Sequence, residues 1–422
     1  MRQLVILGAG TAGTMMANHL HKSIDLHEWQ ITIVDQYPKH YYQPGFLFIP
    51  FGLYSEKDVV KSKREFIPHG VEYLESAIDR IDPRTNSVML ASGTTLNYDI
   101  LIIATGAKTA PEQTEGLTGS DWRKRIFDFY TFEGATALHA ALENWNGGRL
   151  VVHITELPIK CPVAPLEFSF LADWWLAERG LRDKTELVYV TPLSSAFTKP
   201  ICADVMGHTL TDKRINTVTD FNIARVDNDQ HQIISWDGRE VPYDLLVTIP
   251  TNMGDAMIER SGIGDELNFV PTDKHTLQSK VKDNIFVIGD ATDVPASKAG
   301  SVAHFESEVL TKNILHYMHG EPLTEDFDGH ANCYIESGFN KAFLIDFNYE
   351  LEPMPGTFPL PGIGPFSLLK ESYVNHLGKL AFRWIYWNGL LKARPIPGIS
   401  HTMSRTGKRI PPTVPTDVAS EA

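Results

Sequence analysis

Short apolar runs, each closed by a turn of small or acidic residues, recur along this chain. Residues 4–7 (LVIL) run into GAGTAG, and residues 31–34 (ITIV) end at Asp35. Between them, residues 14–21 carry a helical apolar period. Residues 98–104 (YDILIIA) end in Thr105-Gly106, and residues 284–288 (NIFVI) end in Gly289-Asp290. Further runs lie at residues 149–155, 186–191 and 243–249. Unbroken apolar runs of this length, alternating with helical segments, predict strands buried on both faces of parallel sheets. At 422 residues and 43% hydrophobic, the chain has material for two or three domains of α/β type.

The first run supplies chemistry as well as fold. Strand, Gly8-Ala-Gly10-Thr-Ala12-Gly13, helix, strand and Asp35 form a dinucleotide-binding unit. The glycines admit a pyrophosphate to backbone N–H groups at a helix N-terminus, where partial positive charge collects. Asp35 is placed to accept a ribose 2′-hydroxyl. The alternative is an empty glycine turn, and the loop alone does not separate FAD from NAD.

The order GxGxxG, Ala-Thr105-Gly106, Gly289-Asp290 resembles the flavoproteins with two dinucleotide-binding domains, related to the disulfide reductases. That resemblance implies FAD, with the Ala-Thr-Gly turn leading back to the flavin and Asp290 on the ribityl chain. It implies a discontinuous FAD domain (residues 1–112 and 275–330) and a second Rossmann-like domain (113–274). Residues 331–422 are left as a C-terminal region for quinone and membrane. The resemblance also brings Ala77, Gln43, Pro44, Lys298 and Gly300 to the flavin. For Gln43 and Pro44 the other reading is a packed aromatic loop. Ser-Lys298-Ala-Gly300 resembles the family's Lys-Thr-Gly stretch with Ala299 in place of Thr, which keeps a lysine for the charge of a reduced flavin and removes the hydroxyl.

After the strand at 149–155, where a second glycine loop would bind a nicotinamide nucleotide, the chain reads ELPIKCPVAPLEF. Proline offers no N–H and non-glycine side chains block close approach of a pyrophosphate, so reduction by NAD(P)H is not expected. The three cysteines, Cys161, Cys202 and Cys333, show no disulfide-scaffold or metal spacing, and buried structural thiols are their bland reading. Yet Cys161-Pro-Val-Ala-Pro-Leu-Glu167, with Cys333 past the end of the FAD domain, resembles the sulfide:quinone oxidoreductases. That family implies a redox pair 172 residues apart, Cys333 on the flavin side and Cys161 carrying the growing sulfur chain. Sulfide attacks the disulfide, leaving a persulfide and a thiolate that passes electrons to the flavin. The chemistry calls for a depressed thiol pKa supplied by nearby positive groups. Glu167 is a candidate proton carrier, or a carboxylate that steadies a helix N-terminus. Cys202 reads as a bystander and His208 as a helix-surface histidine.

Residues 372–394 carry Leu377, Leu380, Ala381, Trp384, Trp387 and Leu391 at helical spacing, with Lys379, Arg383 and Lys392 largely off that stripe. A basic helix with Trp and Tyr at its edge suits a headgroup layer; docking on the protein's own core is the alternative. No run of about 18 apolar residues spans a membrane. The expected enzyme is therefore a peripheral protein of the cytoplasmic membrane, taking sulfide as donor and a membrane quinone as acceptor. Resemblance places Tyr334, Lys379 and Phe382 at the quinone, with Phe339 and residues 355–366 as walls. A net charge of −14 argues against nucleic acid as a partner. A strand opening within three residues of Met1 leaves no leader visible. No metal is expected, and association with further copies of the chain is left open. Competing readings are a flavocytochrome-type sulfide dehydrogenase subunit, a type-2 NADH:quinone oxidoreductase, and a flavin-bound redox sensor without catalysis. A Pro/Thr-rich tail follows Arg409.

Overall fold

The computed structural model describes residues 1–360, 362–396 and 398–409; the Pro/Thr-rich tail lies outside them. Its first sheet has five strands in the order Ile285–Val287, Ile100–Ile103, Arg2–Leu7, Trp29–Asp35 and Glu72–Glu75. Every neighbouring pair is parallel. The order outward from the first strand reverses beside it, which opens a crevice beyond the carboxyl ends. The apolar runs form the strands because Leu4, Ile6, Ile31, Ile33, Ile100 and Ile102 bury one face while Val5, Leu7, Leu101 and Ile103 bury the other.

A second parallel sheet repeats the plan: Ile126–Phe127, Leu245–Ile249, Gly148–Ile154, Thr185–Val190 and Asn216–Val218. The chain leaves the first unit through Ala107–Thr109 and returns through Asn252–Gly254, which pair antiparallel. The return comes earlier than the expected boundary at residue 274. Met257, Ile258, Ile263 and Val270 pack in one core with Val5, Leu7, Leu101 and Ile103, so the segment from Met257 to Val270 packs with the first unit.

The C-terminal region is a mixed four-stranded sheet, ordered Ala331–Gly338, Lys341–Phe347, Gly364–Leu368 and Gly356–Leu360. The helix Tyr373–Asn388 lies across it, contacting the first two of these strands. No described helix is long and apolar enough to cross a membrane.

Candidate active site

One cavity of about 480 Å³ runs from the glycine loop to the C-terminal sheet. Its walls come from the carboxyl ends of the first-sheet strands (Gly8, Asp35, Thr105, Gly289) and from the loop after the second-sheet strand Gly148–Ile154 (Lys160, Cys161). Asn332, Cys333 and Tyr334 close the third side, and Lys379 and Phe382 reach in from the C-terminal helix. Two helices, Thr11–Ser23 and Gly300–His319, begin at this cavity, and neither has a side chain capping its first turn. Their free N–H groups face the cavity with the positive end of each dipole.

The shape fits a dinucleotide. A Cβ on Gly10, Gly106 or Gly300 would meet no protein atom within 4 Å, whereas one on Gly13 would stand 1.9 Å from the carbonyl oxygen of Gly8. Gly13 thus serves helix–strand packing, and the other three leave room for a guest. The buried hydroxyl of Thr105 has no protein partner. FAD fits this pattern: Gly10–Ala12 could hold its phosphates, and the N-terminus of Gly300–His319 offers further free N–H groups.

Other nominated residues fall as follows. Asp35 accepts from Ala9 N at 2.8 Å and pairs with the buried Lys63 at 2.6 Å, a lysine that the sequence pattern did not flag. Gln43 and Pro44 line the cavity, and Gln43 Oε1 accepts from Lys160 Nζ at 3.1 Å. Lys298 lines it too, but its ammonium donates to the carbonyls of Asp290 (3.1 Å) and Thr292 (2.7 Å), and burial lowers its pKa. Ala77 is not brought to the cavity; its carbonyl accepts from Ala91 N. Phe339 also stays away: it is the exposed turn between Ala331–Gly338 and Lys341–Phe347, beside Lys213. Cys202 is fully buried outside the cavity wall, and His208 is an exposed helix residue near Asp204.

The loop that replaces the second glycine loop carries two prolines, Pro158 and Pro162, and its N–H groups nearest the cavity are engaged. Thr155 N donates to Ile249 O, Lys160 N to Asn252 Oδ1, and Cys161 N to Lys298 O. Cys161 is held at φ +45°, a left-handed conformation that strains a non-glycine residue and tends to occur at working sites. Its carbonyl accepts from Tyr130 OH and Ala164 N. Three residues on, the helix Ala164–Glu178 begins, and its first turn aims Glu167 at the same cavity.

Cys161 and Cys333 both line this cavity, and the charge of Cys333 acts on Cys161. Neither is in a disulfide. Their pKa values are raised, not depressed as the chemistry suggested. Burial pushes Cys333 up to about 12, and it pushes Cys161 up further with help from Glu167. Lys379 opposes both shifts. Burial also raises Glu167, against its ion pair with Lys379 at 2.7 Å and a bond from Glu336 N at 2.8 Å.

Sequence reasoning missed Tyr386. Its hydroxyl bonds Thr11 Oγ1 and His40 Nε2, each at 2.7 Å, tying the C-terminal helix to the glycine loop. A tyrosine in an aromatic-rich helix carries no local sign of such a partner.

Parallel doubly wound units joined by one cavity define the two-domain dinucleotide-binding oxidoreductase class. A family model described as pyridine nucleotide-disulphide oxidoreductase matches residues 2–153. Within that class the chain is similar to sulfide:quinone oxidoreductases along most of its length. The mitochondrial sulfide:quinone oxidoreductase of Dictyostelium discoideum is 27% identical over 398 residues, 93% of this chain and 86% of that protein. Its namesake from Mus musculus is 25% identical over 397 residues, 92% and 86% respectively. The solved sulfide:quinone oxidoreductase of Aquifex aeolicus shares the fold, with a TM-score of 0.77 at 20% identity and 92% of each chain covered.

Proposed function

We infer that this protein is an FAD enzyme that oxidises sulfide at a cysteine pair and reduces a quinone. One observation carries the reading: Cys161 and Cys333 share a cavity with the glycine loop, at the place where a second nucleotide loop would otherwise stand. The absence of glycine from residues 155–161, together with the occupied N–H groups of Thr155, Lys160 and Cys161, argues against a nicotinamide donor.

FAD, when bound, supplies a two-electron acceptor between thiols and quinone. The glycine loop and the two uncapped helix starts would hold its phosphates and its polar edge, and Asp290 would take the ribityl hydroxyls. With Cys161 and Cys333 joined as a disulfide, HS⁻ attacks the Cys161 sulfur and the S–S bond breaks. Cys161 becomes a persulfide and Cys333 leaves as the thiolate. Burial disfavours that thiolate, and the Lys379 ammonium is the cation that offsets the cost. Glu167, its pKa raised by burial, takes the proton of incoming sulfide.

At the far end Tyr334, Lys379, Phe382, Phe358, Phe366 and Ile385 form an aromatic mouth suited to a quinone head. Next to it, Tyr373, Val374, Leu377, Leu380 and Trp384 point outward from the same helix, with Leu360 and Ile363 exposed on the adjoining hairpin. The inner face holds Asn375, Lys379, Tyr386 and Trp387. An apolar stripe that faces out beside a quinone mouth supports peripheral attachment to a bilayer, from which a lipid quinone enters. Lys379, off the outward stripe, is held inward by Glu167.

The test is anaerobic mixing of the purified holoprotein. Sulfide bleaches the flavin and NADH does not, decylubiquinone restores the colour, and Cys161→Ser or Cys333→Ser slows bleaching by about 10³-fold or more. Bleaching by NADH, or full sulfide reactivity in both variants, sinks the reading.

A further inference from the structure

The mechanism above leaves one buried acid without a task. Glu336 follows Cys333 by three residues on the strand Ala331–Gly338, its side chain 1% exposed. Both carboxylate oxygens face Nδ1 of His376 at 3.0 Å. His376 sits in the first turn of the helix Tyr373–Asn388 with its side chain 16% exposed, so the imidazole bridges the interior and the surface. On the inner side, Glu336 N donates to Glu167 Oε1, the oxygen that also holds Lys379 Nζ. The Glu336 charge raises the pKa of both Glu167 and Lys379. Solvent, His376 and Glu336 therefore lie in sequence, and Glu336 meets Lys379 through its charge and through the shared Glu167 carboxylate, without a direct ion pair. Burying a carboxylate here costs desolvation that an apolar side chain would not incur, so the acid calls for a purpose.

The reaction provides one. Sulfide enters as HS⁻, and its oxidation balances as HS⁻ + quinone + H⁺ → S⁰ + quinol. The sulfur loses two electrons, the quinone gains both, and HS⁻ brings only one of the two protons the quinol carries. The second comes from solvent in every turnover. We propose that His376 and Glu336 form the entrance by which this proton reaches Lys379 and the quinone end of the cavity. The inference rests on the sulfide:quinone reading. Lys379 gives a proton to the reduced quinone oxygen, Glu336 restores it across a bridging water, and His376 reloads Glu336 from Nδ1 while taking a proton from water at Nε2. The charged and titratable groups facing this pair are Glu167 from the helix Ala164–Glu178, Lys379 from the His376 helix and Tyr54 from the segment before Glu56–Val59. The ring of Tyr373 lies 6.2 Å from that of His376.

Stopped-flow separation of the half-reactions tests it on the full-length, FAD-loaded protein. Sulfide reduces His376→Asn at the wild-type rate, and Glu336→Gln, whose lost charge also shifts Glu167, is slowed there far less than in reoxidation. Reoxidation by decylubiquinone slows about a hundredfold on the alkaline side and much less on the acid side, with a larger solvent deuterium effect. Asn at 376 keeps a donor for Glu336 but relays no proton, so a merely structural role leaves that variant normal. Added imidazole restores His376→Ala and does not restore Glu336→Gln. Wild-type reoxidation in His376→Asn at every pH, or equal slowing of both half-reactions without imidazole rescue, overturns the proposal. Failure of every quinone to reoxidise the wild type overturns the underlying reading instead, and the proposal with it.

Discussion

Lys379 places its ammonium 2.7 Å from the Glu167 carboxylate, joining a helix of the second unit to the C-terminal helix across 212 residues of chain. Both side chains are buried, at 9% and 1% exposure, and both thiols feel the pair. The Glu167 charge raises them and the Lys379 charge lowers them.

Removing either partner should therefore move thiol reactivity in opposite directions. Lys379→Met slows alkylation of Cys161 and Cys333 by iodoacetamide at neutral pH several-fold, and Glu167→Gln speeds it. Lys379→Met also strands a buried carboxylate and costs about 3–5 kcal/mol of stability, measured by urea unfolding. Glu167→Gln leaves a lysine that still reaches the Tyr334 carbonyl at 3.1 Å, and costs less. Equal alkylation rates in the two variants would show that the pair does not govern the thiols.

Two glycines separate fold from cofactor. A methyl on Gly10 meets only open space, while one on Gly13 collides with the carbonyl of Gly8. Gly10→Ala is expected to melt like wild type once stripped of flavin, yet to bind FAD at least about tenfold more weakly. Gly13→Ala should lower the melting temperature of the apoprotein as well. Differential scanning fluorimetry and FAD titration of the apoproteins decide it, and normal FAD affinity in Gly10→Ala would remove the pyrophosphate from that loop.

Signals carried by neighbouring residues were legible in the sequence. The glycine loop, the buried strands and the Cys161–Glu167 segment each announce themselves within a few positions. Contacts that join distant elements were not. The Tyr386–Thr11 bond spans 375 residues, and Lys379, nominated for the quinone by resemblance, gave no sign of its buried partner Glu167 on another domain. The apolar stripe was visible, but which side faced the core depended on that buried pair. The boundary near residue 255 was hidden because the helix Ala256–Ser261 is too short to show a period.

The outward stripe makes the membrane proposal testable without damaging the site. Deleting residues 372–422 would also remove Lys379 and Tyr386 from the cavity wall, so loss of function there says little. Trp384 is 69% exposed and Leu377 45%. Trp384→Ala should weaken partition onto liposomes by about tenfold while sulfide still bleaches the flavin at the wild-type rate. Leu377→Glu should weaken partition further, since a charge enters the headgroup boundary. Flotation of either variant with liposomes as fully as wild type would refute attachment by this face.

Glu306 supplies a pH dependence. Buried on the helix Gly300–His319, it accepts from Gly289 N at 2.7 Å, just before Asp290. Burial raises its pKa to about 8, the Gly289 bond opposes the shift, and the Asp290 charge adds to it. In the unfolded chain the same acid ionises in the ordinary carboxylate range. Between that range and about pH 8 the folded state therefore holds a proton that the unfolded state has lost. Stability must fall as pH rises through this window, with no penalty below it and the full penalty above. Glu306→Gln keeps an acceptor for Gly289 N and cannot ionise. Its melting temperature should match wild type at mildly acid pH and exceed it by several degrees on the alkaline side of the window, as calorimetry across pH would measure. Parallel curves for the two proteins would mean that Glu306 ionises normally inside the fold.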